Sequence, residues 1–171
     1  MADRFYEFSW DLVGDVATGR PNLGNMTRIE VYRLFQYTLR DVLEKRYGTE
    51  ESDKILYDAG YIAGKNFCEK FIGKMDDFNE FVKKVQEQLL ALSIGILRVE
   101  TADQEKATFT LSVAEDLDCS GLPDMDHAVC TYDEGFIAGI FKSQTGMDFS
   151  VKETDCWCTG DRTCRFEVKQ L

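Results

Sequence analysis

A chain of 171 residues is long enough to bury a real core within one domain, and we expect residues 1–171 to form a single unit. Apolar residues at 44% and aromatics at 12% exclude a disordered polar tail. Against 31 acidic residues stand 20 basic ones, and the net charge of −11 argues against a direct grip on nucleic acid or on anionic lipid.

Met1 to Trp10 alternates charged and aromatic residues and lacks the apolar stretch of a secretory leader. No apolar run reaches the roughly 18 residues that span a bilayer. These features point to a cytoplasmic protein, and in that compartment six cysteines are expected free or metal-bound rather than paired in disulfides.

The pattern predicts a short strand around Phe5–Leu12, then a glycine-rich loop through Gly14, Gly19, Pro21 and Gly24. A helix is predicted from Thr27, where Thr27 and Glu30 have capping-box spacing, to Gly48. Its apolar stripe is Tyr32, Phe35, Leu39, Val42 and Leu43. A second helix is predicted over Glu50–Ile72, with Ala59, Gly60, Ala63 and Gly64 at near-helical spacing. Small residues so placed let another helix approach closely.

A third helix, Asp77–Leu92, turns Phe78, Phe81, Val82, Val85, Leu89 and Leu92 to one face. The period then changes: Ile94–Glu100 and Thr108–Val113 read as strands joined through Asp103–Lys106, the second presenting Phe109, Leu111 and Val113. A loop follows over Ala114–Asp126. A fourth helix, Asp126–Gln144, carries Tyr132, Phe136 and Ile140 in one row with Gly135 and Gly139 beside it. A terminal hairpin turns at Gly160-Asp161. Three helices, two strands, a helix and two strands predict an α+β fold with an antiparallel sheet.

The last 42 residues carry the chemistry. Phe149, Val151 and Glu153 share one strand face, as do Cys164, Phe166 and Val168 on the returning strand. An ionised carboxylate on an apolar face is costly unless it meets a cation or metal. Cys130 is placed in the first turn of the fourth helix, whose N-terminus favours a thiolate. Three sulfurs and one carboxylate make a closed tetrahedral set suited to structural zinc: Cys130, Glu153, Cys156 and Cys164. Cys158 is a competing donor for the place of Glu153.

Other chemistry-bearing residues receive plainer readings. Cys68 is read as a core residue and Cys119 as a loop thiol without a role. His127, the sole histidine, is read as capping or solvating the start of the fourth helix, with a contact behind the metal left open. Asp116, Asp118, Asp133 and Glu134 are read as solvated charges, with a paired-carboxylate site as the lesser reading. Neither a phosphate-binding loop nor a dinucleotide fingerprint appears. No catalytic residues are assigned.

The segments C-x-Y-x-x-G-F-I-A-G from Cys130 and E-T-x-C-x-x-x-G-D-x-x-C-R-F-E-V from Glu153 resemble the 4-vinyl reductase (V4R) domain family. This domain also forms the sensory part of phenol- and xylene-responsive transcription activators, and the strongest match runs over residues 119–168. Those sensors hold zinc with Cys, Glu, Cys and Cys spaced 23, 3 and 8 residues apart, the spacings of Cys130, Glu153, Cys156 and Cys164. The resemblance implies helices packed on an antiparallel sheet of about four strands, similar to the haem-NO-binding and Golgi-transport (TRAPP-like) ligand-binding domains. It also implies a homodimer and an apolar pocket between helices and sheet.

Phe78, Phe81, Phe109, Leu111, Phe136 and Val151 are the expected pocket residues. The expected function is a zinc-stabilised hydrocarbon-binding or aromatic-sensing domain. Because the sequence carries no activator modules, its output would pass through a partner protein. The alternatives are a tetrapyrrole-related reductase or accessory factor, suggested by the family name, and a structural assembly subunit.

Overall fold

Two aspartates, Asp15 and Asp77, cap helices of this chain. The computed structural model describes residues 6–171. It divides into two compact units, one running through Thr38 and one from Leu39 to Leu171.

In the first unit the expected strand near Phe5–Leu12 does not form where the residues are described; Phe5 lies outside them. Trp10–Val13 is instead a 3-10 turn, closed by the Gly14 N–H on the Asp11 carbonyl at 3.1 Å. α1 (Val16–Gly19) starts at Asp15, whose side chain accepts the Thr18 N–H at 3.0 Å. α2 (Ile29–Tyr47) runs from the first unit into the second. Its capping box is not used: the Glu30 carboxylate takes the Arg28 guanidinium. None of its residues is buried, and Phe35 is 68% exposed.

The second unit holds α3 (Thr49–Phe67), which continues into one π-helical turn, Cys68–Ile72, and stops at Gly73 with φ +78°. α4 (Phe78–Ala91) is capped by Asp77, which accepts the Glu80 N–H at 2.8 Å. β1 (Ile96–Asp103) and β2 (Thr108–Ala114) form the first hairpin. α5 (Thr131–Thr145) follows, then β3 (Phe149–Asp155) and β4 (Cys164–Gln170).

The four strands make one antiparallel sheet in the order β1-β2-β4-β3. The expected α+β fold is the one observed. Its register aligns Leu111, Phe166 and Glu153 in one row across β2, β4 and β3, and pairs Val113 with Cys164. This row faces inward, and Phe166 and Val168 are fully enclosed.

α3 and α5 meet at four glycines. An ideal Cβ on Gly60 or Gly64 would lie 2.0 Å from the carbonyl oxygen of Tyr132 or Phe136. On Gly135 or Gly139 it would lie 2.0 or 2.2 Å from those of Tyr57 and Tyr61. Backbone therefore rests on backbone, which only glycine allows. Around this pair lie two apolar clusters, one centred on Phe166 and Val168 under the sheet. The other joins Phe67, Phe81, Val85, Leu89 and Ile140 from α3, α4 and α5.

The fourth predicted helix starts later than its pattern suggests. Residues 126–129 are not helical and Cys130 is the N-cap rather than a first-turn residue. The reason lies in burial: Val129 and Cys130 are drawn inside before the helix begins.

Candidate metal centre and apolar cavity

Three segments bring sulfur together. β4 begins at Cys164, β3 ends just before Cys156, and the segment before α5 delivers Cys130. The fourth sulfur comes from the loop after β2. Because Val113 pairs with Cys164, the chain leaving β2 stays beside the start of β4. An Asp116 turn then reverses it: the Asp116 carboxylate accepts the N–H groups of Asp118 at 2.9 Å and Cys119 at 3.0 Å. The Trp157 indole N–H on the Leu122 carbonyl (3.1 Å) and the Met125 N–H on the Cys158 carbonyl (2.6 Å) lace this loop to the hairpin tip.

The sulfurs of Cys119, Cys130, Cys156 and Cys164 consequently lie within 4.8 Å of one another, all buried and none in a disulfide. Cys130 Sγ is 3.9 Å from that of Cys156 and 3.8 Å from that of Cys164, while Cys119 and Cys164 are 3.1 Å apart. A tetrahedron of zinc–sulfur bonds near 2.3 Å has edges of about 3.8 Å, so the donor set fits a thiolate-bound metal in size and chemistry. Hydrogen bonds from Cys119, Cys130 and Cys164 hold the Cys156 thiol far below its ordinary range. A thiol held low among its neighbours favours metal capture.

Glu153 is buried beside this group. One carboxylate oxygen accepts the Cys130 N–H at 3.3 Å; the other has no hydrogen-bond partner among the described residues. Burial, followed by the charge of Cys156, pushes its carboxyl up to about 8. Cys158 is buried next to Cys156 but stands outside the mutual sulfur group, with burial raising its thiol to about 12. Cys119 was read from sequence as a thiol without a role. The pairing of Val113 with Cys164 is the signal that places it, and that pairing needs the strand register.

His127 is exposed and meets Asp126 at 3.0 Å, and among the described residues it belongs to neither group of metal-competent side chains. The acidic residues expected in solvent are a correction. Asp116, Asp118 and Glu134 are buried. Asp116 is consumed in its own turn, and Glu134 takes the Glu153 N–H at 2.8 Å and Lys152 at 2.9 Å. Cys68 packs in the core with Phe67 and Ile72, as read.

Beyond the sulfurs, α4, α5 and the inner sheet face line a partly open cavity of about 60 Å³. Of the expected pocket residues, Phe78, Phe81, Leu111 and Phe136 line it. Phe109 lines a shallower depression nearby, and Val151 lies in the packed core under the sheet. Val85, Leu89 and Ile140 complete much of the wall; their heptad-like positions were visible in sequence, but not that they would face a void. Asp116 and Asp133 stand at the cavity as its polar members.

The class is a helix-on-antiparallel-sheet domain with a thiol cluster and a partly open apolar cavity. Residues 109–170 match the V4R domain family model, and the resemblance seen in the motifs holds there. An uncharacterized protein of Methanocaldococcus jannaschii is 24% identical over 147 residues, covering 86% of this chain and 80% of its own. Three solved structures share the fold.

A vinyl-4-reductase family protein from Methanocaldococcus jannaschii has a TM-score of 0.62 at 17% identity, covering 100% of this chain and 99% of its own. The phenol-responsive sensory domain of the transcription activator PoxR, solved with phenol, has 0.66 at 16%, covering 85% and 76%. A trafficking protein particle complex subunit 3 from Naegleria fowleri, covalently bound to palmitic acid, has 0.65 at 14%, covering 84% and 95%. Among the described residues no helix is long and apolar enough to cross a membrane.

Proposed function

We propose that this protein is a ligand-binding sensor domain for a small hydrophobic or aromatic molecule, stiffened by a zinc ion and acting through a partner protein. The observation that carries the reading is the apolar cavity between α4, α5 and the sheet. The fold likeness to a phenol-bound sensory domain supports it. A cavity of about 60 Å³ is smaller than the roughly 150 Å³ that holds benzene in a protein interior. An aromatic ligand would therefore displace a wall, and α4 is the wall that can move. It packs on β1 and the π turn, whereas α5 is locked to α3 backbone against backbone. Ligand entry would shift α4, and a partner would read the change.

Zinc would sit among Cys119, Cys130, Cys156 and Cys164, with Glu153 against the Cys130 N–H. In a closed four-donor shell the ion supplies structure and no reaction step. Cys130, Cys156 and Cys164 are common to this set and to the motif-derived one; the fourth donor, Cys119 or Glu153, is separable by mutation. The same unit would act as a homodimer in a cytoplasmic setting. Leu34, Phe35, Leu39 and Val42 of α2 are exposed, and covering an apolar helix face of this kind is what a second copy provides.

The test is to denature the purified protein and identify released metal and small molecules by mass spectrometry. One zinc per chain and a hydrophobic compound are expected. Metal-free protein whose melting is unchanged by Cys156→Ser would remove the zinc reading, and failure to bind any small aromatic would remove the sensor reading.

A further inference from the structure

The cavity is not uniformly greasy. Fifteen of its lining residues are apolar, and Asp116 and Asp133 alone among them carry charge; neither lysine, arginine nor histidine lines it. Carboxylate oxygens of Asp116 and Asp133 lie within 4.8 Å of each other and of Cys130 Sγ, which puts both acids at the sulfur-facing part of the wall. The two are not equivalent. Asp116 is engaged by the Asp118 and Cys119 N–H groups. Asp133 Oδ2 is buried and has no hydrogen-bond partner among the described residues.

The obvious structural use for Asp133 is absent. An acid at the third position of a helix ordinarily reaches back to the N-cap N–H. Here that N–H, on Cys130, goes to Glu153 instead. A buried acceptor left without a donor costs free energy, and the surroundings sharpen the cost. Burial, then the charges of Asp118 and Asp116, push the Asp133 carboxyl well above its ordinary range.

We propose that Asp133 is the specificity residue of the cavity, and that its ligand is a small apolar molecule bearing one hydrogen-bond-donating group, a hydroxyl or an ammonium, which the Oδ2 of Asp133 accepts. The proposal rests on the cavity being the ligand site. The apolar walls take the hydrocarbon body, and the unpartnered oxygen orients it by its donor end. Asp116 also lines this part of the wall, so an ammonium would meet a second carboxylate beside the one that accepts its hydrogen bond.

The experiment uses the metal-loaded full chain and three probes of similar size: toluene with no donor, phenol with a neutral donor and benzylamine with a cationic one. Calorimetric titration is expected to show at least one donor probe binding about tenfold or more tighter than toluene. Asp133→Leu should erase that preference. Asp133→Asn, which keeps an acceptor without charge, should retain a preference for phenol if hydroxyls are the natural head group, and lose one for benzylamine if ammonium is.

Equal affinity of the unmutated protein for all three probes overturns the donor assignment while leaving the cavity as a ligand site. No binding of any probe overturns both. A second metal equivalent lost in Asp133→Asn would assign the acidic pair to a cation and also overturn the proposal. The wild-type comparison stands even if a variant fails to fold.

Discussion

Gly64→Ala adds one methyl group to the α3–α5 contact and should be disproportionately damaging. In an exposed helix the same change stabilises by about 1 kcal/mol, because alanine is the better helix former. Here the new Cβ would sit 2.0 Å from the Phe136 carbonyl oxygen, with the Phe136 carbonyl carbon at 2.8 Å and its Cα at 3.0 Å. A comfortable carbon–oxygen approach is about 3.3 Å, so the helices must part by roughly 1.3 Å locally.

Such a gap forfeits a large part of the dispersion energy along the contact, and overpacking typically costs about 1–3 kcal/mol, more where backbone is the obstacle. Taking about 3–5 kcal/mol for this backbone obstacle and subtracting the helical gain of about 1 kcal/mol, we expect a net loss of about 2–4 kcal/mol. That corresponds to a fall in Tm of roughly 4–16 °C for a protein of this size. Thermal melts followed by circular dichroism, with urea unfolding as a second measure, would read it. Gly121→Ala is the comparison: nothing lies within 4 Å of its added Cβ, and its φ of +88° costs only the backbone strain of about 1–2 kcal/mol. A neutral or stabilising Gly64→Ala would refute the backbone-on-backbone contact.

Cys119→Ser is expected to lower zinc stoichiometry below one per chain by plasma mass spectrometry, while Glu153→Gln leaves it at one; the reverse result would put the carboxylate in the metal shell. Removing the metal with a strong chelator should open the loop tied through Trp157 and Leu122, seen as new protease cleavage between residues 115 and 129. Val85→Phe should fill the cavity and weaken binding of small aromatics at least tenfold, with Tm changed by only a few degrees, as judged by titration and melting. If the proposed homodimer forms through α2, Phe35→Glu should weaken it by roughly tenfold to a hundredfold in Kd, read by light scattering, since burying an aromatic side chain is worth about 1.5–3 kcal/mol; a monomeric unmutated protein would refute the homodimer.

The terminal hairpin was legible because its residues alternate strictly: Phe149, Val151 and Glu153 inward, Ser150, Lys152 and Thr154 outward, as observed. The third predicted helix was equally plain, since Asp77 caps it and a single apolar face runs its length. Gly60 and Gly64 signalled a close helix approach, but not that Gly135 and Gly139 are what they meet, because spacing within one helix says nothing of its partner.

Cys119 escaped the sequence for a related reason. It reaches the sulfur cluster only through the pairing of β2 with β4, a non-local register. The acids at 116, 118 and 134 misled because local composition reads charge as solvent-facing, whereas a turn and a lysine from the next strand take them inside. The stripe of α2 was correct as a helical pattern but not as a sign of burial: none of the helix's residues is buried.

The glycine-locked helix pair has a bearing on engineering. A protein that must change its preferred guest needs one surface free to vary and another that must not. Substitutions at Phe78, Val82, Val85 and Leu89 on α4 would resize the chamber without touching the α3–α5 seam or the sulfur cluster. A library restricted to those four positions, screened against molecules of graded bulk, is the economical route to new biosensors on this scaffold.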